Sequence, residues 1–299
     1  MRKIVIGLLT HVSGNINANE VDGDRIRIKK LVSTNGEIYP FVSARAVKRG
    51  IREKLGEVNG IEIDPFRIGE GSKLADSGDP VKYADNDLFG YLYIQGTSTQ
   101  KPRQAPISLS PIIALEHTPI EVDFGGRFPK EPGSNNPTPF ETEVADFIGL
   151  LKVVITERIG IFTENEKTNQ IKEWDEYVNE GKVSKQGEKD IKYVFDDTER
   201  IKRVKSFLEI LLNEGWVYPR KTNYLSMADH ISAIVYAGEK LYPIWKAHKN
   251  YKFGIKNVLY QIEKDTEFLE AYDLKNSIVP TKDVEKLANW LVNGKWKQD

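Results

Sequence analysis

The first hydrophobic positions run almost without a polar break, and the residues at their centre are β-branched, so Lys3–Thr10 (KIVIGLLT) is predicted as a buried strand. A polar loop, HVSGNINANEVDGD, follows it. In YPFVSARAVKRGIREKLG, Tyr39 to Gly56, the residues Ala44, Val47, Ile51 and Leu55 return at helical spacing and predict a helix docked on a core. Next comes a Gly/Asp/Pro-rich excursion from Asp64 to Asp87, then predicted strands near Leu88 to Ile94 and Ile107 to Leu115. Three glycines and four prolines among the fifteen residues GGRFPKEPGSNNPTP, Gly125 to Pro139, exclude regular helix there. This stretch is either a loose loop or the arm of a projecting hairpin. Beyond it, Leu150 to Ile155 reads as a strand and Glu164 to Lys192 as a charged excursion.

The next helix is marked at its start. Asp196 with Glu199 three residues on makes a capping box, Ile201, Val204, Leu208 and Leu211 form the apolar face, and Gly215 ends it. A strand at Ile231 to Tyr236 and helices near Val258 to Ala271 and Thr281 to Val292 complete the chain. The order is that of a βαββαβ core with an extra strand and large insertions, an α+β chain with no repeat of fixed period.

Composition narrows the function. With 299 residues and 39% hydrophobic content the chain has enough material for a sizeable core. The run Ile4 to Leu9 is too short to span a membrane, and no small-residue cleavage site follows it. Zero cysteines exclude disulfides, thiolate metal sites and a cysteine nucleophile, which fits a cytoplasmic protein. Net charge is −1, but it is unevenly spread: Arg25 to Lys54 holds nine basic residues against Glu37 and Glu53. Such asymmetry fits an anion-binding face on an otherwise acidic protein.

On the predicted basic helix, Lys48, Arg49 and Arg52 project within about 60° of Arg45, and the apolar stripe lies beside them. Arg45 falls in the first turn after the candidate cap Ser43, where the helix dipole disfavours a cation. No carboxylate follows Arg45 at three or four residues, and Glu53 is placed on another face, so pairing within the helix is not expected to neutralise the stripe. A phosphate would neutralise it. A solvated basic face, or salt bridges to another part of the protein, is the alternative.

YPFVSARAVKRGIRE resembles the segment after the first strand in backbone subunits of type I CRISPR surveillance complexes, the Cas-seven family in its DevR-like, type I-B variety. THVSGNINANEVDG, DNDLFGYL with QAPISLSPIIAL, and NPTPFETEVADFIGLLKVVITERIG agree in order and spacing, covering about the first 160 residues. GWVYPRKTNYLSMADHISAIVY is similar to a late loop and final strand of the family. The resemblance implies an RRM-like (ferredoxin-like) palm with a finger-like insertion at about 57–86, a thumb hairpin at about 121–142 and a charged insertion at about 164–192. It also implies a subunit that polymerises along CRISPR RNA, meets target DNA through the guide, and contacts further copies of itself and other Cascade subunits of Cas-five and large-subunit types.

Residue by residue, Ser43, Arg45, Lys48, Arg49 and Arg52 match the phosphate-contacting helix and Asn17 the loop after strand one. Phe124, Phe128 and Phe140 are candidates for an apolar wedge, with Phe140 expected to anchor the hairpin instead. Arg127 and Lys130 are candidate phosphate contacts. Lys101 and Arg103, in GTSTQKPRQ, are placed at RNA or a neighbouring copy, and Lys221 more weakly so. The first strand lacks the aromatic motif of an RRM that stacks bases on its sheet, so binding is expected over helix and loops, and Tyr91 and Tyr93 are assigned to core packing.

The resemblance implies no enzyme, cofactor or metal. Two other readings stand beside it. Asp22 and Asp24 lie in an acidic loop, and Asp76, Asp79, Asp85 and Asp87 in another, as a metal-dependent ribonuclease would need, although the spacing is not that of an EF-hand. His11, His117, His230 and His248 show no metal-ligand spacing, and no nucleotide-binding loop or nucleophile elbow occurs. The other reading is a homo-oligomeric scaffold whose basic helix binds an acidic subunit.

Overall fold

The computed structural model describes residues 1–16, 21–68, 74–95, 99–130, 136, 138–167, 171–219, 225–251 and 266–294. The buried apolar run at the start forms β1, Lys3–Gly14, longer than predicted. The chain continues through β2 (Lys30–Val32), β3 (Ile38–Val42) and helix α1 (Ala44–Leu55), then the short α2 (Ala84–Phe89). It passes on to β4 (Ile107–Leu109), β5 (Ile112–Ala114), β6 (Glu121–Arg127) and the 19-residue β7 (Thr138–Thr156). Helices α3 (Trp174–Asn179) and α4 (Asp197–Leu212), strands β8 (Asp229–Gly238) and β9 (Thr266–Asp273), and helix α5 (Thr281–Asn293) follow.

One antiparallel sheet organises this mixed α/β, sheet-dominated fold in the order β9-β8-β1-β7-β5-β3-β2, with β4 also paired to β7. β1 is central, in register from Lys3 opposite Thr156 to Gly14 opposite Ala145. Alternation along the strands sends Ile4, Ile6, Leu8, Leu151, Val153 and Ile155 to one face. There they pack against Val47, Ile51 and Leu55 of α1, Val204, Phe207 and Leu211 of α4, and Leu287 and Leu291 of α5. On the other face, Val5, Ile234 and Tyr236 are covered by Ile244 and Ala247 of the turn Ile244–Tyr251. A Cβ on Gly7 would lie 3.1 Å from Trp245, so this part of the sheet face is closed.

Several expectations are corrected. Tyr39–Val42 belongs to β3, because Pro40 and the β-branched Ile38 and Val42 favour extended chain; the helix starts at Ala44 after Ser43. LFGYLYI is not one strand: Leu88 and Phe89 end α2, Gly90 turns the chain at φ 66°, and only Tyr91–Gln95 is extended. Pro111 splits Ile107–Leu115 into β4 and β5. The helix expected near Val258 to Ala271 is strand β9 from Thr266; its earlier part lies outside the described residues. α4 ends at a cap on Asn213, before Gly215. No helix among the described residues is long and apolar enough to cross a membrane.

Phe162, Trp174, Tyr177, Val183, Tyr193 and Phe195 form a small core of their own with Val81, and Trp174 stacks on Tyr193 at 4.0 Å between centroids. It covers a three-stranded sheet of Ile161–Thr163, Lys192–Val194 and Ser184–Gln186.

Candidate nucleic-acid interface

α1 is fixed on its inner side and open on its outer side. Ser43 caps it, its hydroxyl accepting from the Ala46 amide at 3.3 Å, and Ala46, Val47, Gly50, Ile51 and Leu55 are buried. Gly50 is needed for close approach: a Cβ there would lie 2.4 Å from Trp216 Cδ1 and 2.7 Å from the Val217 carbonyl. The segment around Trp216 and Tyr218 is thereby locked against α1. Ser226, donating to the Ser13 carbonyl at 3.2 Å, ties the same segment to the end of β1.

The basic stripe divides along its length. Arg45 is exposed, and neither it nor Lys48 makes an ion pair among the described residues. Lys48 is half-buried with its ammonium 5.8 Å from the Phe89 ring centre. Burial first, then the neighbouring Arg52 and Arg45 charges, pushes the Lys48 ammonium below the usual lysine range. An anion placed between Arg45 and Lys48 would relieve that repulsion.

Arg49 is exposed but its Nε lies 2.9 Å from Glu53 Oε1, correcting the expectation that Glu53 faces elsewhere: about 40° of separation at i,i+4 is within reach. Arg52 is turned inward. Its Nε lies 2.8 Å from Asp85 Oδ2, in a geometry that is an ion-pair contact and not a hydrogen bond, and its guanidinium sits 4.9 Å from the Phe66 ring centre. Asp85 is fully buried, and that burial raises its carboxyl above the usual range against the pull of Arg52.

The proline- and glycine-rich stretch belongs to a hairpin. β6 pairs with the first part of β7, from Glu121 opposite Val144 to Arg127 opposite Thr138, exposed at Thr138–Phe140 and already buried at Thr142, while the rest of β7 runs through the central sheet. Phe124 is 71% and Phe128 74% exposed, against 36% for Phe140. A Cβ on Gly125 would meet Phe140 Cζ at 2.5 Å, so the Phe140 ring lies over its cross-strand glycine. Phe128 lies instead over Gly126, on the hairpin face that also carries Phe124. Arg127 and Lys130 are exposed at the same end.

Arg103 is corrected outright: its side chain is fully buried. It ion-pairs with Asp87, reaches Glu166 at 3.2 Å and the Ile161 carbonyl at 3.1 Å, and lies 4.6 Å from the Phe162 ring centre. Asp87 also takes Arg203 at 2.9 Å and the Gly160 amide at 3.1 Å. This hub joins the paired strands Tyr91–Gln95 and Thr99–Arg103, α4 and the segment around Glu166. Burying a guanidinium among carboxylates and carbonyls satisfies its whole donor fork, leaving nothing for RNA. Sequence reasoning missed the hub because Asp87, Arg103, Glu166 and Arg203 share no local pattern. The acidic crowd from Asp76 to Asp87 was its one visible sign.

Lys101 lies in the strand Thr99–Arg103; Asn17 and Lys221 lie outside the described residues. Tyr91 and Tyr93 are buried. Asp22 ion-pairs with Arg27, and no group of three or more His, Asp or Glu among the described residues is arranged to hold a metal ion.

The family described as CRISPR-associated negative auto-regulator DevR/Csa2 matches residues 72–256, more than half of the chain. No curated protein matches. Among solved structures, a chain titled CRISPR RNA-guided surveillance complex is similar with a TM-score of 0.57 at 13% identity, over 98% of this chain and 99% of that one. Another, titled CRISPR RNA-guided surveillance complex, pre-nicking, gives 0.55 at 12% identity over 98% and 99%. At such identities the likeness is one of fold.

Proposed function

This chain belongs to the CRISPR-associated DevR/Csa2 family, and on that premise we propose that it is a non-catalytic, RNA-binding backbone subunit of a type I-B surveillance complex. In this reading, copies polymerise along a CRISPR RNA in the cytoplasm and present it for pairing with target DNA, beside subunits of Cas-five and large-subunit types. The observation that carries it is the pair Arg45 and Lys48, held on a core-docked helix with no carboxylate partner among the described residues. A polyphosphate backbone supplies the missing negative charge whatever the base sequence.

The palm in this reading is RRM-like. Its support is the antiparallel order β8-β1-β7-β4, the fourth, first, third and second strands of a βαββαβ unit, with α1 and α4 packed on one face. The finger is the insertion at about 57–86 and the thumb the hairpin at about 121–142. Phe124 and Phe128 are its apolar wedge and Arg127 its phosphate contact, while Phe140 braces the hairpin. Arg49 joins Arg45 and Lys48 by exchanging Glu53 for phosphate; Ser43 and Arg52 position the helix.

The test is the mass of the full chain, by light scattering, on RNAs of increasing length. Stepwise growth in proportion to RNA length is expected. A mass independent of RNA would overturn the reading and leave the basic stripe to an acidic protein partner.

A further inference from the structure

The central sheet ends in two open edges. Among the described residues β2 pairs only with β3 at one end, and β9 only with β8 at the other. Beside β2, the Phe41 amide donates to the Lys29 carbonyl and the Ser33 amide to the Glu37 carbonyl, each at 2.9 Å. Alternate residues of an antiparallel ladder bond to the same neighbour, so Leu31 also faces β3 with its backbone, whereas Lys30 and Val32 turn amide and carbonyl outward. At the end of β9 the Leu274 amide donates to the Ile231 carbonyl at 2.9 Å, which by the same alternation leaves the backbone of Leu269 and Ala271 facing outward. Edges of this kind are usually guarded by charge, proline or a bulge; β2 instead exposes Leu31 and Val32.

The two edges complement each other. β2 carries Lys30, 3.6 Å from Glu143, and follows directly on Lys29. β9 exposes Glu267, Glu270 and Asp273, with Lys275 beyond its end. The edges also run the same way, because seven strands, each antiparallel to the next, leave the first and the last parallel. A second copy can therefore lay its β9 beside β2 as a parallel strand and keep its α1 and α4 on the same face of the lengthened sheet. A contact between two different edges repeats without closing, and sheet twist winds the row into a helix.

We propose that copies of this chain join by parallel pairing of β2 on one copy with β9 on the next, so that one sheet runs through the assembly and the basic helices stand in a row on one face. The proposal rests on the reading of a subunit that polymerises along RNA, and names the surface through which it does so.

Val32→Pro and Ala271→Pro test it, since each removes one outward amide and spares the ladder within the copy. Each variant should keep the affinity of the unmodified chain for an RNA just long enough for one copy. On long RNA, each should lose cooperative filling and bind at least about tenfold more weakly. Mixed in equal amounts, the two should join through their unaltered edges and stop at pairs, read as mass by light scattering. Val32→Glu, at an exposed position, should impair filling by setting a carboxylate against the acidic β9, whereas Val32→Lys should not. Unchanged filling by both proline variants, or a defect in only one of them, would overturn the edge pairing and spare the RNA reading. Should a proline variant unfold, equal filling by Val32→Glu and Val32→Lys would overturn it. Failure of the unmodified chain to gain mass with RNA length would overturn both.

Discussion

Two sets of cations on this protein differ in whether the fold surrounds them with anions. Arg103 and Arg203 are buried around Asp87, with carboxylates, carbonyls and aromatic faces filling their coordination. Arg45 and Lys48 lie on a helix of the same fold with no counter-ion among the described residues. What separates them is whether the fold itself supplies the anion. Where it does, the charge joins distant segments; where it does not, the charge is available to a ligand. Arg52, turned to Asp85 and Phe66, sits between the two cases on the same helix as Arg45.

The comparison breaks most visibly at the hub. Arg103→Ala leaves Asp87 and Glu166 buried beside a void, and should cost about 3–5 kcal/mol of stability by urea denaturation. Protein that stays folded should bind RNA as before. A loss of RNA affinity without a loss of stability would restore Arg103 to the interface.

Gly50→Ala is next. It forces a methyl against the Trp216 ring, with an expected loss of about 1–3 kcal/mol read from the denaturation midpoint. Ser43→Ala removes the α1 cap and should cost about 1 kcal/mol in the same measurement. An unchanged midpoint in either variant would contradict the inner-face account of α1.

The smallest effect sharpens the contrast within one ladder. His11, on the open face, is raised above the ordinary histidine value by its hydrogen bond to Asp146 and then by Asp229. Its contribution is fully present below about pH 6.5 and is lost as pH rises through the raised value. Its neighbour across the ladder is Asp229, and His230, one residue on, is pushed down to about 4 by burial. That contribution is present above about pH 6.5 and is lost as pH falls toward 4. Stability against pH should therefore lose its alkaline-side decline in His11→Gln and its acid-side decline in His230→Gln. Identical profiles for the two variants would contradict the assignment.

The elements that sequence made legible are those whose cues are local. β1 announced itself by an unbroken apolar run, α1 by its 3.6-residue period and Ser43, and α4 by Asp196, whose carboxylate accepts from the Glu199 amide at 2.8 Å. For the hairpin the sequence is compatible with either a loop or an arm, since proline and glycine forbid helix without dictating pairing. β9 was misread as helix because the pattern FLEAY suits either period and its partner β8 decided it. In the site, the face of the basic stripe is visible in the sequence, but the fate of each charge is not: Arg49–Glu53 is a local i,i+4 pair, whereas Asp85 and Asp87 meet their partners through packing, across 116 residues in the case of Arg203.

The most direct test of the central claim is the salt dependence of RNA affinity for the unmodified chain against Arg45→Ala with Lys48→Ala, on RNAs of unrelated sequence. Two lost phosphate contacts should weaken binding on every sequence and flatten the plot of log affinity against log salt by about 1.4, at about 0.7 per contact on a single strand. An unchanged slope and affinity, in a protein of unchanged denaturation midpoint, would mean that these two open cations do not meet phosphate.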